Sequence, residues 1–321
     1  MTNQHPFNRI FNTNGVEAVR KKWLEEVKRQ PNKALEAINH PELEFPSLFV
    51  LKDELNDHYH ALSRRNRIGL LHIENVLTHT MKGLEDPCSP LEHYDDHLHC
   101  YKWIVTTGGA HLLNNDYNTV IDHACTHLYK FYNEGQLEEL VNLIFHRYRN
   151  KTLSHYLLNI LFDCSSPEWI LLVARFFYSS PTDRKFARKL LHFIPGVNEA
   201  QNPEEAVNTV EAWYENNAHY LLFTGETHDT NHAPVPFVVH FPAKYIGKAL
   251  HPLTGKFIAP VSQQDVDRRM SFSQLQIEYQ ELLATTSQQK RKENRAGWQQ
   301  WIKKPLSTHL NEHNIRTSCC Q

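Results

Sequence analysis

The chain has 321 residues, 34 Lys+Arg against 36 Asp+Glu for a net charge of −2, 40% hydrophobic residues, 22 His and only 11 Gly. This is the composition of a water-soluble globular protein, and its near-neutral balance provides no global field to hold a polyanion. Scarce glycine, with no G-x-G-x-x-G and no G-x-x-x-x-G-K-[ST] run, argues against the usual nucleotide-binding loops.

The first eleven residues, MTNQHPFNRIF, lack the basic and apolar regions of a signal peptide. Cys88, Cys100, Cys125, Cys164, Cys319 and Cys320 are scattered rather than densely spaced. Both features point to a reducing, cytoplasmic setting. Residues 1–115 read as an N-terminal helical region. An amphipathic stretch over 16–30 is stopped by Pro31, and further helices are expected over 48–62 and 64–84. Ser89-Pro90-Leu91-Glu92 forms a capping box that starts a helix running to about Val105, with Leu91, Tyr94, Leu98, Tyr101 and Val105 as its apolar seam.

From Ile121 onward the apolar residues keep a longer register. Ile121, Ala124, Cys125, Leu128 and Tyr129 have the spacing of one helical stripe. The same set recurs sixteen positions on from Leu137, again from Leu153, and again from Trp169; a fifth copy, slipped by one, runs from Phe186 to Ile194. Asp116 and Asn150 are placed to cap helices, and Ser166-Pro167 and Ser180-Pro181 put proline at helix starts. Five short, equal helices joined by short linkers are expected, and over residues 117–194 the stretch resembles short HEAT-type repeats. The fold class expected is therefore mainly α, a HEAT-like solenoid over 116–222. The resemblance implies a binding surface and no particular reaction.

Beyond Gly196 one more helix, 203–214, leads into a proline-rich segment with a β-type run at Phe237-Val238-Val239-His240-Phe241. A small β-containing appendage is expected over 223–268, a helical stretch over 269–304, and a flexible tail over 305–321. Lys290, Arg291, Lys292 and Arg295, followed by Trp298, Trp301, Lys303 and Lys304, read as a solvated helix face with its tryptophans turned inward. A membrane contact is expected only there or through lipidation of Cys319 and Cys320, and nucleic acid is not an expected partner.

No G-x-S-x-G, H-E-x-x-H or C-x-x-C motif assigns a reaction. Three constellations could carry function. His93, Asp96, His97 and Cys100 fall within about a 100° arc of one helix. With His127 of the next helix they could hold zinc or a similar transition metal. Read blandly, they are half-exposed polar residues and a small core cysteine. Glu226, His228, Asp229 and His232 form a second set, and the His228-Asp229 pair resembles that of HD-type metal phosphohydrolases, whose further helical ligands have no assigned counterpart. A solvated turn gives the same pattern. Third, the register puts His123 and His127, His155 and Asn159, and Arg188 and His192 at equivalent positions of alternate helices, where stacking would make a polar ridge. The expected function is a helical-repeat binding or scaffold protein that holds a protein or peptide on that ridge; the alternative is a metal-dependent hydrolase at residues 93–127.

Overall fold

The computed structural model describes residues 5–78, 90–132 and 137–315, without the side chains of 90–93 and 131. The fold is mainly α. Among the described residues the only strands are two of three residues each, and no helix is long and apolar enough to cross a membrane. The chain divides into two compact units, Met1–Leu157 and Leu158–Gln321.

The first unit contains α1 (Pro6–Asn14), α2 (Val16–Arg29), α3 (Pro31–Asn39), α4 (Phe45–Val50), α5 (Lys52–Leu55), α6 (Arg64–Thr78), α7 (Pro90–Gly108), α8 (Asn115–Tyr132) and α9 (Leu137–Arg149). α10 (His155–Phe162) begins here and crosses the boundary. α2 buries Val19 and Trp23, one turn apart, and ends with Lys28 and Arg29, whose charge suits the C-terminal dipole. The helix expected over 48–62 is broken into α4, α5 and a 3-10 turn at Asn56–Ala61. The cause is a change of periodicity: every residue of α4 is buried, whereas the 3-10 turn buries none. Phe45 of α4 packs edge-on against Trp103 of α7 at 5.5 Å, and Trp103 donates its indole N–H to the Leu43 carbonyl at 2.7 Å. Gly108 ends α7 where nothing larger fits, since a Cβ there would lie 2.6 Å from Ile121 and 2.9 Å from the Tyr117 hydroxyl. That hydroxyl donates to the Gly108 carbonyl at 2.9 Å.

The sixteen-residue register predicts core positions well. Ile121, Ala124, Cys125, Leu128, Leu140, Val141, Ile144, Phe145 and Leu157 are buried in the first unit, and Ile160, Leu161, Trp169, Val173, Phe177, Phe186, Leu190 and Ile194 in the second. Equal helix length does not follow: α8 to α10 have 18, 13 and 8 residues. In the second unit α11 (Trp169–Ala174) has 6 and passes into a 3-10 turn, Arg175–Tyr178, before α12 (Pro181–Leu190) with 10. Pro167 shortly precedes α11 and Pro181 opens α12, in keeping with the bias of the residue before a proline away from helical geometry. Ser180 caps α12 by accepting from the Asp183 N–H.

The second unit continues with α13 (Pro203–Asn217), β1 (Leu221–Phe223), β2 (Phe237–Val239), α14 (Phe241–Ile246), α15 (Gln263–Phe272), α16 (Ile277–Glu293), α17 (Arg295–Trp301) and α18 (Leu306–Glu312). The β structure expected over 223–268 consists of β2 and an isolated bridge between Leu250 and Phe257. β2 pairs antiparallel with β1 just ahead of that span, Leu221 opposite Val239 and Phe223 opposite Phe237; α14 and part of α15 occupy the same span. Tyr245 of α14 anchors the core of α15 to α18: its ring stacks on Phe272 at 4.2 Å, and its hydroxyl meets His309 Nδ1 at 2.6 Å. His309 lies 3.7 Å from Trp301, ring on ring, and its Nε2 donates to the Trp301 carbonyl at 2.8 Å. The tail expected to be flexible therefore contains a helix, α18, held by buried His309 and Leu310. Gly247 closes α14 in the left-handed region, φ 68°, with Trp298 only 3.1 Å from where a Cβ would stand. Residues 316–321, with Cys319 and Cys320, lie outside the described residues, as does Cys88.

Candidate functional site

α7 carries the expected metal set, and its members diverge. The side chain of His93 is outside the described residues. Asp96 is half-exposed and accepts from Arg64 Nε at 2.9 Å. Cys100 is fully buried and donates its thiol to the Arg65 carbonyl at 3.3 Å. Both therefore face α6. His97 turns instead toward Tyr101, whose ring stacks on His127 of α8 at 5.2 Å. Among the described residues no three or more His, Cys, Asp or Glu side chains are grouped to hold a metal ion.

His72 of α6 joins this cluster and carries no role in the pattern of spacings above. Its ring meets Tyr101 at 5.1 Å and His127 at 5.6 Å, and its Nε2 lies 3.0 Å from the Val120 carbonyl. A signal was present, because His72 is four residues beyond Ile68 and four before Val76 on one buried helix face. Burial pushes its imidazole down to about 3, with His127, His123 and His97 adding to the shift. The cluster is a packed set of rings.

The ridge residues are divided between the units. In the first, His127 is buried, His123 packs by Tyr156 at 5.4 Å, and His155 is exposed. In the second, Asn159 donates to Asp229 at 2.7 Å, and His192 Nδ1 lies 3.1 Å from the Lys189 carbonyl. Arg188 donates to the carbonyls of Val197 and Ala200, which fixes the loop after α12. Sequence spacing placed these residues on a common surface; the packing commits His127 to the core and Arg188 to the backbone.

The 226–232 loop is a hydrogen-bonded turn. Glu226 accepts from Asn231 and from the Val235 N–H, His228 packs edge-on against Phe162 at 5.0 Å, and His232 is exposed.

A feature that no local motif signals is a groove of about 870 Å³ in the second unit. One wall is a single face of α16: Ile277, Glu281, Thr285, Gln288 and Lys292 recur at three- and four-residue intervals. α13 contributes Trp213, Asn216 and Asn217, and Phe193 meets Trp213 edge-on at 5.9 Å. The opposite wall is β2. Phe237, Val238 and Val239 all line the groove although successive strand side chains point to opposite faces, so the groove runs along the strand's edge.

The ladder shows which edge. His240 N–H donates to Tyr220 and Thr224 N–H to Pro236, so the hydrogen-bonded pairs are 220/240, 222/238 and 224/236. Phe237 and Val239 occupy the alternate positions, and their main-chain N–H and C=O groups point away from β1. Phe223, the β1 counterpart of Phe237, points its N–H outward in the same way and donates to Pro252 at 3.0 Å. Nothing among the described residues does the same for β2. Val238 and Ile277, 44% and 56% exposed, add apolar surface at the rim. The groove thus combines a strand side without main-chain partners among the described residues, where Phe237 is buried and Val239 half-buried, with aromatic side chains and carboxamides, a set that can bind extended polypeptide.

No family model matches the chain, and no curated protein or solved structure is detectably similar to it.

Proposed function

We propose that this protein is a binding or scaffold protein that takes an extended peptide segment of a partner protein into the groove of its second unit. The observation that carries the reading is the outer edge of β2, where Phe237 and Val239 offer donors and acceptors along a groove wall. An added strand would satisfy them and place alternate side chains on Trp213 and Phe193. The repeat register over 121–194 supports the same class of function, because short HEAT-type repeats serve as frameworks for binding surfaces. The hydrolase reading has less support, since Asp96 and Cys100 are engaged by α6.

Selection from a display library of random ten-residue peptides, using the full chain as bait, tests this. Enriched peptides should bind about tenfold or more weakly to Val239→Pro, which removes one outward N–H and leaves the β1 ladder intact. Enriched peptides that bind Val239→Pro as tightly as the unaltered chain would contradict the groove as the site.

A further inference from the structure

We propose that Lys244, together with Lys292, forms a carboxylate-recognition point in the groove, so that the bound peptide is one carrying a negative charge there. The inference rests on the peptide-groove reading and specifies its ligand.

Lys244 lines the groove, yet it is only 4% exposed. Its ammonium donates to Asn217 Oδ1 at 2.8 Å, a neutral acceptor. Two further cations stand on α16. Lys292 donates to Asn216 Oδ1 at 2.9 Å, and Arg291 donates to the Tyr220 hydroxyl with its guanidinium 5.6 Å from the Trp298 ring. All three positive charges rest on neutral partners, and none has an ion pair with a carboxylate among the described residues. Glu281 is the one acidic group close enough to act appreciably on Lys244. Along the groove itself Lys244 and Lys292 stand with Glu281 and Glu293, and Arg291 lies behind the lining.

A buried ammonium with a single neutral acceptor is costly, since three donors need partners and the charge lacks compensation. Burial accordingly depresses Lys244 to about 8, with Glu281 pulling it up and Lys292 and Arg291 pushing it down. A ligand carboxylate would complete both the hydrogen bonding and the charge. Sulfur, thiol or metal chemistry is not called for, and the neighbouring strand edge selects a polypeptide as the carrier. Two sources supply such a group: the peptide's C-terminal carboxylate, or an Asp or Glu side chain.

The test uses peptides selected on the full chain and synthesised in three forms: unmodified, C-terminally amidated, and with each Asp or Glu replaced by Asn or Gln. Against the unaltered protein, one of the two neutralised forms should bind at least tenfold more weakly, and which one identifies the source. Against Lys244→Met that difference should shrink to under threefold, with Lys292→Met, on an exposed side chain, giving an intermediate effect. Melting curves of the variants matched to the unaltered chain keep a folding defect from imitating this result, and Lys292→Met provides the answer where Lys244→Met does not fold. If neither neutralised form binds more weakly, or if both lysine variants leave the difference intact, the carboxylate point is overturned. Should Val239→Pro still abolish binding in that case, the groove reading survives. Failure to enrich any peptide would overturn both.

Discussion

Replacing Arg147 with methionine is expected to destabilise the first unit by about 3–5 kcal/mol, the penalty for leaving one half of a buried ion pair. Arg147 on α9 has no exposed surface, and its Nε donates to Asp122 of α8 at 3.2 Å. Its Nη1 donates to Asn118 at 2.7 Å, while Ser154 donates to the other Asp122 oxygen at 3.3 Å. Through Arg147, α9 is bonded to both Asp122 and Asn118 of α8. Burial pushes the Asp122 carboxyl up to about 6 even against the pull of Arg147. An uncompensated carboxylate here would be strongly disfavoured. Urea unfolding should show the loss in Arg147→Met and a substantial recovery in Arg147→Met/Asp122→Leu, where both charges are removed. A single-variant loss below about 1 kcal/mol would mean that the pair is hydrated rather than buried.

The second large effect is acid sensitivity set by His72. Its folded value of about 3 lies below the usual 6.5, so below pH 6.5 the unfolded chain binds a proton that the folded chain refuses. The contribution is complete above pH 6.5 and is lost as pH falls toward 3, up to about 5 kcal/mol in total. Asp122 works in the opposite sense. Its raised value means that the folded chain takes up the proton first, and its contribution grows as pH falls from about 6 to 4. Comparison with His72→Gln isolates the imidazole. Between pH 7 and pH 5 the unaltered chain should lose about 2 kcal/mol more than the variant in urea unfolding. Equal pH dependence in the two proteins would place His72 in contact with water.

Helix positions and core residues were legible because they depend on periodicity and local chemistry. Ile121, Leu140, Leu157, Trp169 and Phe186 are buried as their register requires, and Ser180-Pro181 starts α12. Helix lengths were less legible, because a stripe of buried residues is also compatible with the 3-10 turn at Arg175–Tyr178. Site residues were hardest to read. His127 has the spacing of a surface ridge, yet His72 and Tyr101 cover it, and nothing local to α8 signals that neighbour. The groove joins residues from Phe193 to Glu293, and its decisive feature is the direction of backbone N–H groups on a three-residue strand. Side-chain patterns carry no record of that. The many histidines likewise divide by packing: His72 and His97 are core rings, His309 ties down α18, and His155 and His232 face solvent.

The most direct test of the groove is amide hydrogen exchange on the full chain, alone and saturated with a selected peptide. Phe237 and Val239 amides should become at least tenfold more protected on binding, while Val238, already paired with Leu222, changes little. Peptide binding that leaves Phe237 and Val239 exchanging at their original rates would contradict strand addition at β2.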